Sequence, residues 1–113
     1  MSTGAIVAGL CAWTRHHDPH VRAAVDLLIE HDFWLRRPDF VRACVHRSSR
    51  EVWIDWAQAR KLVNAGSVAS SSEMAVLDLA TALGENRYCL SIMGAANSAL
   101  IATSVARAVG EAP

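Results

Sequence analysis

The sequence predicts an α+β domain, mainly helical, with a short antiparallel hairpin packed against four to five helices. Three observations predict it. Apolar residues recur at helical spacing through Val21, Ala24, Val25, Leu28 and Ile29, and again through Met74, Leu77, Ala80 and Leu83. The stretch Val41–Trp56 reads instead as two short strands around a polar loop. Ser, Asp, Pro and Gly stand where helices should begin and end. A chain of 113 residues, 52% of them hydrophobic, suits a single domain, 1–113, with one core.

The first helix is expected over Thr3–Thr14, with Ile6, Leu10 and Trp13 on one face and Ser2 or Thr3 as cap; Gly4 and Gly9 weaken it. Asp18 as N-cap and Pro19 as first helical residue open a second helix, Pro19–His31, whose polar side carries Arg22 and Asp26 four apart. Pro38 interrupts the chain after the apolar cluster Phe33-Trp34-Leu35, and a single turn of helix, Asp39–Val41, leads on.

The hairpin follows, with strands Val41–His46 and Glu51–Asp55 and the loop Arg47–Arg50. This register sets Val45 opposite Val52 and Ala43 opposite Ile54 on one face. On the other, His46 meets Glu51, Cys44 meets Trp53 and Arg42 meets Asp55. A slip by one residue would turn the apolar set outward. Asp55 then caps a helix over Trp56–Asn64, with Gln58 as the reciprocal half of a capping box and Gly66 as terminator. Ser67–Ser71 is a loop. Ser70 and Glu73 form a second capping box for a helix that Gly84 closes. Arg87–Ser91 is expected to be extended, a third strand beside the hairpin. The last helix, Ala95–Val109, ends at Gly110 and is rich in Ala, Ser and Thr, which lets another backbone approach closely.

Net charge is zero but unevenly spread: −2 over residues 1–35, +4 over 36–62 and −2 over 63–113. A neutral chain exerts no general pull on nucleic acid or membrane, so only the middle third offers a basic patch. Charged residues are 19% of the total, below the usual quarter or so, and four Trp accompany them, which favours apolar surface covered by a partner. Cys11, Cys44 and Cys89 are odd in number and far apart, as for free buried thiols in a reducing cytosol. The apolar run Ala5–Trp13 lacks the basic flank of a signal peptide and is too short to span a bilayer, so a cytoplasmic location without a membrane partner is expected.

Several constellations invite chemistry. His16, His17, Asp18 and His20 carry metal-ligand types, but Pro19 breaks their shared helical face and a solvated turn explains them. On a strand, Cys44 and His46 would point the same way, with Glu51 opposite to orient the ring, the outline of a cryptic Cys/His enzyme. No oxyanion loop, G-x-S-x-G or phosphate-cradling glycine loop accompanies them, so no catalytic residue, metal or cofactor is assigned. Arg47, Arg50, Arg60 and Lys61 form the set for a small DNA-binding regulator. The leading expectation is a non-enzymatic interaction or regulatory module that binds a protein partner or itself through Trp34, Arg42, Arg47, Arg50, Trp53 and Trp56, since aromatic and Arg side chains dominate interface hot spots.

Taken in order, Trp34-Leu-Arg-Arg, Phe40-Val-Arg, Trp53-Ile-Asp-Trp, Ser70-x-x-Glu73 with Ala75-Val-Leu-Asp-Leu-Ala, Met93-Gly with Asn97, and Ala106-x-x-x-Gly110 give the chain a pattern over 25–110. That pattern resembles small uncharacterised proteins of actinobacteria and their mobile elements. The resemblance implies a bacterial, cytosolic, stand-alone small domain; it implies no activity and transfers no functional residue.

Overall fold

The computed structural model describes residues 1–66 and 69–111. Among them run six α-helices and one hairpin: α1 (Thr3–Thr14), α2 (Pro19–His31), α3 (Pro38–Cys44), β1 (Val45–Arg47), β2 (Val52–Ile54), α4 (Trp56–Ala65), α5 (Ser71–Gly84) and α6 (Ala95–Ala108). Short 3-10 turns at Trp34–Arg36 and Leu90–Ile92 complete the order. The fold is mainly helical with a two-stranded antiparallel hairpin, as the sequence predicts.

Local signals place most helix ends. Ser2 Oγ accepts from the Ala5 amide at the start of α1, and Asp55 accepts from the Gln58 amide at the start of α4. Ser70 and Glu73 form both halves of their capping box. Pro19 occupies the first turn of α2 behind Asp18, whose side chain makes no capping bond. The loop expected over Ser67–Ser71 falls partly on Ser67 and Val68, which lie outside the described residues, and α5 already begins at Ser71.

The core forms where α2 lies along α5. Val21, Ala24, Val25 and Leu28 meet Leu77, Ala80 and Thr81, and the alanines let the two backbones come close. Trp34, Leu35 and Phe40 fill the space between these helices and α3, while Ile6 and Leu10 of α1 cover the hairpin. Gly9 is the seat for that cover: a Cβ there would come within 2.5 Å of a Val52 methyl. Gly84 does the same for Trp56, whose ring lies 2.3 Å from where a Cβ would be. α5 ends at Gly84, as expected from the sequence. Just beyond it Asn86 takes a left-handed conformation, and the amides of Asn86 and Arg87 return to the Leu83 and Ala82 carbonyls.

The hairpin differs from expectation in extent and register. Pro38 starts a helix that continues to Cys44, so residues 41–44 are helical and strand one shrinks to Val45–Arg47. The pairs are Val45 with Ile54, His46 with Trp53 and Arg47 with Val52, two residues away from the expected register. An offset of two preserves side-chain parity. Val45, Val52 and Ile54 still share one face and His46 and Trp53 the other, because burial selects the face while the turn selects the partner. The turn is Ser48–Glu51, where Ser48 Oγ accepts from the amides of Arg50 and Glu51 and the Ser48 amide donates to the Glu51 carbonyl. Ala43 does not face Ile54, nor Arg42 Asp55; the Asp55 amide instead donates to the Cys44 carbonyl at 2.8 Å.

No third strand forms among the described residues. Arg87–Ser91 is turn and 3-10 helix, bent by left-handed Asn86 and Cys89. Past this bend, α6 buries no residue. The radius of gyration, 14.7 Å, exceeds the roughly 13 Å of a compact chain near this length, as a helix standing off the core requires.

Candidate interaction surface

The hairpin surface gathers only part of its expected set. Trp34 is fully buried and cannot contact a partner. Its Nε1–H donates to the Glu73 carbonyl at 2.9 Å, and its ring meets Phe33 edge-on and Phe40 at 5.8 Å, with the Arg37 guanidinium 5.3 Å from its centre. Trp56 is half-buried over Gly84, with its indole nitrogen buried. Trp53 is half-buried beside His46. Arg42, Arg47 and Arg50 are exposed, Arg42 on α3 and the other two at the hairpin tip. A hollow of about 330 Å³ between this tip and Gly9, Ala12 and Trp13 brings no cluster of titratable groups together.

The basic middle third is also smaller in space than in sequence. Arg60 lies in a fork of acids, 2.8 Å from both Asp78 and Glu85, and these hydrogen bonds, Glu85 first, push its pKa further up. It is thus spent on the α4–α5 junction and drops out of the nucleic-acid set, leaving Arg47, Arg50 and Lys61 exposed. Arg36 and Arg37 pair with Asp32 and Asp39, each at 2.7 Å.

The Cys/His pair separates. Cys44 ends a helix and its thiol is wholly buried; burial first, then the Asp55 and Asp39 carboxylates, push it up to about 12, away from nucleophilic range. His46 turns to Asp55, donating from Nε2 at 3.1 Å, and not to Glu51. The Gln58 amide, helped by this imidazole, holds the Asp55 carboxyl below its usual range. Cys11 and Cys89, expected to be buried, are exposed. His20 donates from Nδ1 to the Leu83 carbonyl at 3.1 Å, tying α2 to α5. Among the described residues no three His, Cys, Asp or Glu are grouped to hold a metal, and no helix is long and apolar enough to cross a membrane.

A different surface emerges at the C-terminal end. Of the nine large hydrophobic residues exposed among the described residues, eight lie between Leu79 and Val109, including Ile92 at 81% and Leu100 at 66%. Leu79 and Leu83 of α5, then Tyr88, Leu90 and Met93 of the bend, form one wall of a cleft; Ser98, Ile101, Ala102 and Val105 of α6 form the other. The cleft holds about 830 Å³. The helix has its own end bonds. Asn97 and Ser98 bond back to the Met93 and Gly94 carbonyls, and at Gly110 the amides of Gly110 and Glu111 return to Arg107 and Ala106. Among the described residues, no other element covers it.

Family models, curated proteins and solved structures, each compared with this chain, yield no match.

What the cleft can do follows from its chemistry. From Tyr88 to Ala106 the chain has no Asp, Glu, Lys, Arg or His. The surface therefore offers mainly dispersion and desolvation, and the polar side chains lining the cleft are the Tyr88 phenol and the Ser98 hydroxyl. Sequence reasoning missed it as a surface, although that charge-free run was its signal.

Proposed function

We propose that this chain is a non-enzymatic interaction module that self-associates, and that its docking surface is the C-terminal cleft and α6 in place of the tryptophan–arginine hairpin. One observation carries the reading: a 14-residue helix with no buried residue faces an apolar cleft on its own chain. Helices of this length are marginal in water without a packed face, so a covering layer supplies what the monomer lacks. A second copy suits the surface because it brings both the apolar ridge and the apolar cleft, and because two charge-free stretches meet without like-charge repulsion. A small ligand suits it less, since no buried polar groups converge there to orient one.

Sedimentation across a wide concentration range should show a reversible monomer–dimer equilibrium. Hydrogen exchange should show amides of Ala95–Ala108 gaining protection as concentration rises, while those of α2 stay constant. A monomer at every concentration overturns the reading.

A further inference from the structure

Resting on that self-association, we propose how the two copies meet: α6 of a second copy lies antiparallel in the cleft, with a twofold axis passing between Ile101 and Ala102. The residues of α6 that line the cleft are Ser98, Ile101, Ala102 and Val105, the i, i+3, i+4, i+7 stripe of a helix that packs along one seam. Small and large side chains alternate along it. Reversing the stripe about its own midpoint sets Ser98 against Val105 and Ile101 against Ala102, so each large side chain meets a small one at every level. A parallel arrangement would oppose Ile101 to Ile101 and Ala102 to Ala102, giving one crowded level and one void. Only the reversed arrangement is complementary to itself, as a twofold interface requires.

A 14-residue helix is roughly 21 Å long. The cleft wall beside it adds Leu79, Tyr88, Leu90 and Met93, each between 38% and 46% exposed. Leu100, 66% exposed and outside the cleft lining, stays on the outer side of the pair.

The test uses the full chain with Cys11→Ser and Cys89→Ser, which leaves only the buried Cys44 thiol. Adding Ala102→Cys should give a disulfide-linked dimer under mild oxidation, because the two positions adjoin across the axis; adding Leu100→Cys should not. Ser98→Lys and Val105→Glu should each weaken the dimer by about tenfold or more, and the double variant should recover most of that loss, since the reversed pairing sets each new charge opposite its counterpart. Sedimentation reads the charge series, and circular dichroism checks that the fold is retained at these exposed positions. If the parent dimerises but the double variant is no tighter than the singles, or the Leu100→Cys chain links as readily as the Ala102→Cys chain, antiparallel α6 pairing is wrong while self-association stands. If the parent is monomeric, both fall.

Discussion

Helices α2 and α6 are nearly equal in length, 13 and 14 residues, and both are rich in aliphatic side chains, yet one forms the centre of the core and the other buries nothing. They differ in how the apolar groups are distributed. In α2, Val21, Val25 and Leu28 point one way and Arg22, Asp26 and Glu30 the other, so one orientation on the core is much better than the rest. In α6 the opposite side from Ile101 and Val105 carries Leu100 and Thr103, and Arg107 is its one charged residue. Such a helix gains less from choosing the intramolecular surface and keeps apolar area on more than one side. The contrast teaches that hydrophobic content fills a core only when polar residues exclude the alternatives.

This contrast can be broken by substitution, and the effects should fall in a clear order. Trp34→Ala, at the centre of the packed region, should cost about 3–5 kcal/mol and be read as a large drop in the denaturant midpoint or as failure to fold. Gly84→Ala forces a Cβ into the Trp56 ring and should cost about 1–3 kcal/mol in the same measurement, although alanine is the better helix former. Asp55→Ala removes the α4 cap and should cost about 1 kcal/mol at neutral pH. Because the folded Asp55 carboxyl titrates below its unfolded value, its contribution is complete above the ordinary carboxylate range, near pH 4, and is lost as pH falls through the lowered folded value. The gap between wild type and Asp55→Ala should therefore close on acidification, measured by melts at stepped pH. Asp32, Asp39 and Glu73 are shifted the same way, so the wild type itself should lose stability on that limb.

Two smaller effects sharpen the comparison. A thiol reagent should modify two cysteines in the native chain and a third only after denaturation, because Cys44 is buried while Cys11 and Cys89 are exposed. A fast third thiol would place Cys44 outside the core. At the low end, Leu100→Ala on the outer side of α6 should change stability by no more than about 0.5 kcal/mol, against the several that a buried leucine costs. A loss comparable to a core leucine would show that α6 is packed after all.

The sequence by itself determined the beginnings and ends of most helices. Ser2, Asp55, Ser70 with Glu73, and Pro19 act through bonds and sterics within a few residues of themselves, so no distant contact is needed to read them; the Gln58 side chain does not complete the expected capping box. It also determined which hairpin face turns inward, since Val45, Val52 and Ile54 allow only one. Tertiary structure decided the rest. The choice between strand and helix for residues 41–44 depended on Phe40 and Cys44 being needed in the core, and the burial of Trp34 on the Glu73 carbonyl 39 residues away. That α2 packs along α5 while α6 buries nothing is likewise a property of the assembled fold. Capping is a local energy, written in neighbouring residues; burial depends on which surfaces find each other first and best, and that is a property of the whole packed chain.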